Sequence, residues 1–265
     1  MKASHEVPLC LLEDSKKFNQ YQYCLPHLLD QSEEYKDFFI KVKNEGCYII
    51  MDNSLHELKD INNGCAYGED RLLYWVNELK PNEFIIPDVW QNCIKSIVNA
   101  RRWAQIELPK EVAKVAVIQA ENLSEAMTCY QIYKDLGYKK IAFSYGAEYY
   151  LDHSAHHNKD AAKALGRVQV ISKLFQNNII LKNDRVHLLG CQLPQEFSWY
   201  KDMPFIETID TSNPIMAALD GLKYTSNGLT EKPKANMNDY FTIPLENINL
   251  ELLYHNVEAF KNLLK

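Results

Sequence analysis

Polar residues stand at the ends of a series of short apolar runs, and their types are those that move protons or attack carbon. Asp52 and Asn53 close CYIIMD (47–52), Asp88 closes EFIIPD (83–88), and Gln119 closes KVAVIQ (114–119). Ser144 closes KKIAFS (139–144), Asp210 closes FIETID (205–210), and His187 lies inside RVHLLG (185–190). Taken singly, each is an ordinary helix N-cap or Asx-turn residue. Together, at the ends of successive strands, they point to chemistry. Carboxylates without metal-ligand spacing suit a carbon that develops positive charge, such as the anomeric carbon of a glycosidic bond. One carboxylate attacks or shields that carbon while another moves protons to and from the leaving group. Recognition supplies a second logic. A carboxylate accepts hydrogen bonds from N1–H and N2–H₂ of guanine and a neighbouring amide donates to O6, which is the set that Asp88 and Gln119 offer from adjacent strands. An unmatched buried carboxylate is costly, so such a site is selective.

Positioning these residues takes a repeated strand and helix unit. The runs named above, preceded by VPLCLL (7–12), are short and rich in β-branched or aromatic residues, as buried parallel strands are. Between them lie stretches of helical spacing at 31–45, with Tyr35, Phe38, Phe39 and Val42 on one face, and at 68–79, with Leu72, Leu73, Trp75, Val76 and Leu79. Similar stretches run over 90–107, 122–136, 158–177 and 245–264. The alternation implies parallel pairing through right-handed crossovers. Seven strands are visible, and an eighth near 222–225 is weak. No GxGxxG follows the first strand and no GxxxxGK[ST] occurs, so the open nucleotide-binding sheets lack their signature. The expected fold is an α/β single-domain (β/α)8 TIM barrel over residues 1–265, with a long mobile loop at 223–242 and a C-terminal helix at 245–264.

Metal chemistry is not expected. The seven cysteines are never closer than 14 positions and form no CxxC pair, which excludes a zinc ribbon or a thioredoxin-like motif. They read as small buried hydrophobes in a reducing compartment. His153, His156 and His157, near Asp152 and Asp160, allow an alternative reading as a TIM-barrel metallohydrolase. Barrel metal sites draw ligands from several strand ends, however, and an HxH on an early strand is missing.

Bulk composition narrows the class. With 265 residues, 46% hydrophobic and 24% charged, the chain can bury a sizeable core, and disorder, collagen and coiled coil are excluded. No apolar run approaches the roughly 20 residues that cross a bilayer, and no h-region follows residues 1–6. A soluble, cytoplasmic protein without membrane contact is expected. A net charge of −6 argues against coating nucleic acid through bulk charge. The charges are segregated, with 14 acidic against nine basic residues in 1–80 but three against six in 151–190. Lys159, Lys163 and Arg167 recur at i, i+4 and i+8, and Lys223, Lys232 and Lys234 flank the loop after Asp210. These residues are the expected phosphate track, a solvated helix face being the ordinary alternative.

The order of these motifs over residues 47–215 resembles the tRNA-guanine transglycosylase superfamily, whose members are (β/α)8 barrels that exchange guanine for a 7-deazaguanine through a covalent enzyme–sugar intermediate. MDNSLHEL (51–58) is similar to the family's Asp-Ser-Gly-Gly-aromatic segment and PDV (87–89) to its Asp-Glu-Cys segment. Gln119 matches the glutamine after a strand, FSYG (143–146) a Gly-Gly turn, HLLG (187–190) a Tyr-Leu-Met-Gly segment, and IDTSNP (209–214) the nucleophile segment. The resemblance implies Asp210 as nucleophile at C1′ and Asp52 as general acid/base. It implies that Asp88 and Gln119, with Asn53 and His187 nearby, read the purine, that Ser144 and Tyr145 contact its O6 or 7-substituent side, and that His56 and Leu189 sandwich it. It implies no cofactor. The chain lacks the CxCxxC…H zinc site of members acting on tRNA, and the glycines after Asp52 and at Ser144-Tyr145 are replaced. It is most similar to the compact, zinc-free viral or bacterial enzymes that place 7-deazaguanines in DNA. DNA is therefore the expected partner ahead of tRNA, with free guanine and 7-deazaguanine as the small substrates. A non-catalytic base-binding subunit is the further alternative.

Overall fold

The computed structural model describes residues 1–265. Its strands are β1 (Lys2–Ser4), β2 (Gln22–Cys24), β3 (Ile49–Met51), β4 (Glu83–Ile85), β5 (Ala113–Ile118), β6 (Lys140–Ser144), β7 (Arg185–Leu189) and β8 (Ile206–Asp210). Its α-helices are α1 (Leu12–Ser15), α2 (Pro26–Gln31), α3 (Glu33–Asn44), α4 (Leu55–Leu58), α5 (Glu69–Leu79), α6 (Cys93–Gln105), α7 (Leu123–Asp135), α8 (Lys159–Gln176), α9 (Asn213–Leu219), α10 (Met237–Tyr240) and α11 (Leu250–Leu263). The strands form one parallel sheet ordered β1-β8-β7-β6-β5-β4-β3-β2. Each strand neighbours its successor except that β1 joins β8, which makes this the nearly closed sheet of a (β/α)8 TIM barrel.

Two strand assignments differ from expectation. VPLCLL (7–12) is not a strand: Leu9–Leu11 form a 3₁₀ turn behind Pro8 and run directly into α1. A six-residue apolar run buries equally well as a helical turn, and Leu11 and Leu12 are buried here. The weak eighth strand near 222–225 lies outside the sheet, where Thr225 makes only an isolated antiparallel bridge to Gly228. The sheet is completed instead by β1 and β2, whose three-residue sequences KAS and QYC are too short to show a period.

The helices follow the amphipathic stretches closely. In α3, Tyr35, Phe38, Phe39 and Val42 are buried, while Glu33 and Glu34 open it and Lys41 and Lys43 close it, matching the helix dipole. In α5 the buried face is Leu72, Trp75, Val76 and Leu79, with Leu73 half-buried. Ser32, Asn92, Asn122, Asn158 and Asn249 each accept a backbone N–H of the first turn of α3, α6, α7, α8 and α11, caps worth about 1 kcal/mol apiece. The cap at Asn249 is also why the last helix begins at Leu250, the residues Leu245–Asn247 forming a separate 3₁₀ turn after Pro244. No helix is long and apolar enough to cross a membrane.

The chain divides into two compact units. The first comprises Met1–Gln20, Glu148–Asn183 and Leu188–Lys265, and the second Tyr21–Ala147 and Asp184–His187. In the second unit, β3, β4 and β6 are buried at every residue, as parallel strands covered on both faces must be. At the N-terminal ends of its strands, Glu83 accepts from Lys140 Nζ (2.6 Å) and from Arg185 Nη2 (2.5 Å), with Glu83 and Lys140 almost wholly buried.

In the first unit, β1 pairs with β8 so that Ser4 lies opposite Asp210. Gln20 donates its backbone N–H to the Ala3 carbonyl (3.0 Å) and accepts the Ala3 N–H on Oε1 (2.9 Å). A Cβ at Gly166 would lie 1.9 Å from the Tyr150 carbonyl oxygen, so only glycine lets α8 lie this close to the 3₁₀ segment Glu148–His153. Residues 223–242 contain α10 and are tied back at several points. Thr230 O accepts from Asn158 Nδ2 (2.9 Å), Lys232 N–H donates to Asp160 (3.0 Å), and the Lys234 and Ala235 N–H groups donate to Asp220 (2.6 and 2.9 Å).

Candidate active site

Within the second unit, three of the expected residues form one hydrogen-bonded group at the C-terminal ends of β3, β4 and β5. Asn53 Nδ2 donates to Asp88 Oδ1 (2.7 Å) and to the Ile86 carbonyl (2.8 Å), and Gln119 Nε2 donates to Asp88 Oδ2 (2.7 Å). Gln119 Oε1 in turn accepts the Gln91 N–H (3.0 Å), which fixes the amide's orientation. Asp88 is therefore a carboxylate with one amide donor on each oxygen, and each oxygen keeps acceptor capacity. Burial pushes its carboxyl up to about 7, against the lowering effect of the Gln119 and Asn53 donors. A buried carboxyl titrating near neutrality can both hold and release a proton at physiological pH.

Asp52 and Asn53 also keep local roles. Asp52 Oδ2 accepts the Ser54 N–H (3.2 Å) and Asn53 Oδ1 accepts the Leu55 N–H (2.9 Å). The bend they make puts Ser54 at φ 58°, the left-handed region that glycine adopts without penalty and other residues at a cost of about 1–2 kcal/mol. The Ser54 hydroxyl is held by His27 Nδ1 at 2.8 Å, and burial pushes that imidazole down to about 4, leaving it neutral. Ser144 is buried and turns its hydroxyl back to accept the Gly146 N–H (3.1 Å). The Tyr145 hydroxyl meets His56 Nε2 at 3.1 Å. Sequence reasoning passed over Trp90, whose ring lies 5.9 Å from that of His56. A tryptophan two residues beyond Asp88 was the signal available.

His187 belongs to the same unit. It is buried and stacked on Tyr23, ring centroids 6.0 Å apart and 16° between planes.

Within the first unit, Asp210 ends β8 and is buried. Burial pushes its carboxyl up to about 7, opposed by the backbone N–H of Gly190 and the charge of Arg167. Arg167 is a correction to the expected phosphate track: it is 1% exposed and faces inward. Its Nε donates to Glu196 Oε1 (2.5 Å), and its Nη atoms donate to the carbonyls of Leu189 and Gly190 (3.0 Å each). The i, i+4, i+8 spacing places three cations on one helical face but does not say which way the face points. That face closes on the 3₁₀ segment, with Gly166 beside Arg167 and Glu196 buried to receive it. Lys163 is also largely buried, against Glu148 (2.6 Å), while Lys159 and Lys223 are exposed. Leu189 is half-buried and engages Arg167 through its carbonyl.

The histidines of the alternative metal reading do not converge. His153 Nδ1 lies 3.2 Å from the Lys173 ammonium, a neighbour that repels a cation, and His156 and His157 stack on each other at 4.5 Å. No group of three or more His, Cys, Asp or Glu side chains is arranged to hold a metal ion. Compared with known proteins, the chain matches no family model and no curated protein sequence.

Proposed function

We propose that the protein is a base-exchange transglycosylase, a pentosyltransferase that replaces guanine in DNA with a free 7-deazaguanine. The observation that carries this reading is the Asn53–Asp88–Gln119 group: a buried carboxylate oriented by two amides is built to accept the N1–H and N2–H₂ edge of one purine and to reject bases that lack it. The target nucleotide leaves the base stack to be reached. An Asp210 carboxylate oxygen attacks C1′, and the C1′–N9 bond breaks with its electron pair passing to the purine. Asp52 supplies the proton that lets guanine depart neutral. The incoming base gives its N9 proton back to Asp52, and its N9 attacks C1′ and displaces Asp210. Two inversions retain configuration at C1′.

Incubation with labelled guanine or a 7-deazaguanine, and with either DNA or tRNA, tests the proposal by incorporation into polymer. Incorporation into DNA is expected, and Asp210→Asn abolishes both exchange and the trapped covalent adduct. Full activity in that variant removes Asp210 as nucleophile. Asp88→Ala raises KM for guanine with a smaller effect on kcat, and an unchanged KM refutes its reading of the purine edge. Incorporation only into tRNA moves the substrate to RNA, and guanine binding without any exchange favours a non-catalytic base-binding role.

A further inference from the structure

Trp90 and Lys59 have no part in the exchange chemistry, yet they stand beside its polar group in the second unit. The Trp90 backbone N–H donates to the Gly64 carbonyl (3.0 Å), and the backbone N–H of the next residue, Gln91, donates to Gln119 Oε1. The indole is half-buried. A Cβ added to Gly146 would lie 2.3 Å from Trp90 Cη2 and 3.1 and 3.2 Å from Cζ3 and Cζ2. That both flanking carbons lie so much farther than Cη2 means that the ring meets the Gly146 position by its edge, not by a face. The Lys59 ammonium stands 5.1 Å over the ring and also donates to the His56 carbonyl (3.0 Å), and the His56 ring is tilted 56° to the indole. Core packing would give a tryptophan apolar neighbours. Here an imidazole and an ammonium attend it. An aromatic ring with a cation at its face is how proteins hold unpaired nucleic acid, the base stacking on the ring and the cation meeting a phosphate.

We propose that Trp90, seated edge-on against Gly146, is a stacking station for an unpaired base adjacent to the exchanged nucleotide, and that Lys59 meets the phosphate beside it. This rests on the nucleic-acid reading above and extends it by naming the state of the strand: the DNA is engaged single-stranded around the target.

The test is titration of the full-length protein with a labelled single-stranded oligodeoxythymidylate of roughly 16 nucleotides, long enough to span a site of that kind, followed by anisotropy and tryptophan fluorescence. Wild-type protein binds it more tightly than a duplex of equal length and its fluorescence is quenched. Trp90→Ala weakens binding by roughly 5- to 150-fold, and Trp90→Phe, which keeps an aromatic face, by less. Lys59→Gln lowers the slope of log affinity against log salt by about 0.7. Gly146→Ala, which displaces the indole edge without removing it, also weakens binding. The proposal is overturned if wild-type protein does not bind the oligonucleotide, or if both Trp90 variants, folded by circular dichroism, bind as tightly as wild type. Base exchange is scored separately. Trp90-dependent binding without exchange sinks the transglycosylase reading alone, and exchange with an unaltered KM for DNA in Trp90→Ala sinks the stacking station alone.

Discussion

Two amide donors favour the charge on Asp88 while its burial opposes it, and burial wins by enough to bring the group to about 7. Stability depends on pH accordingly. An unfolded Asp titrates near 3.9, so between about pH 4 and 7 the folded state holds a proton that the unfolded chain has released. The contribution of this residue is full below about pH 4 and is lost as pH rises towards 7, by at most roughly 4 kcal/mol. His5 and His27, both pushed down to about 4 by burial, act oppositely, losing stability as pH falls from about 6.5. Comparing Asp88→Asn with wild type isolates the carboxyl: the urea midpoint of the variant should fall less between about pH 5 and about pH 7.5. Parallel pH dependences would show that Asp88 is ionised throughout. For the proposed exchange the sign reverses, because Asp210 would attack C1′ only as the carboxylate. Raised likewise to about 7 by burial, it predicts a kcat/KM that climbs with pH and levels off above about 7, measured as single-turnover exchange. The placement of Asp52, Asp88, Gln119 and Asp210 at or just beyond strand ends was legible in the sequence because residue type and position after an apolar run are local properties. The bond from Asn53 to Asp88 spans 35 positions, and nothing local encodes it.

Among the elements, α8 departs furthest from what its sequence suggests. Its basic residues read as a phosphate track, yet Gly166 brings the helix against Tyr150 and Arg167 finds a buried acid 29 positions away. Gly166→Ala would drive a methyl into the Tyr150 carbonyl, where backbone and not a flexible side chain must yield. A destabilisation of about 1–3 kcal/mol or more is expected, read from the urea midpoint, and wild-type stability would mean that helix and 3₁₀ segment part at no cost. The strands divide along the same line. Runs such as KVAVIQ and KKIAFS carry enough β-branched and aromatic residues to declare themselves, whereas Lys2–Ser4 and Gln22–Cys24 become strands only because β8 and β3 offer them an edge. VPLCLL misled because burial, not extension, is what its composition encodes.

At the scale of the molecule, charge is spent inside as well as outside. Glu83, Lys140 and Arg185 tie the N-terminal ends of β4, β6 and β7, the end of a barrel that serves stability more than chemistry. Glu83→Gln strands a buried ammonium and should cost about 3–5 kcal/mol. Arg185→Met should cost less, since Lys140 still answers Glu83, and equal losses in denaturant titrations would contradict this ranking. With Arg167 and Lys140 both buried against Glu196 and Glu83, fewer cations stand at the surface than the 29 Lys and Arg of the sequence suggest. The pairing of β1 with β8 bears on how the protein is made. Its hydrogen bonds join segments about 206 positions apart, as the contact of His5 with Thr211 shows. At about 5–20 residues per second, the ribosome needs roughly 10–40 s to bring the second partner out after the first. Throughout that interval Lys2–Ser4 has no strand to pair with, so the first unit is completed last although its opening segment, Met1–Gln20, is translated first.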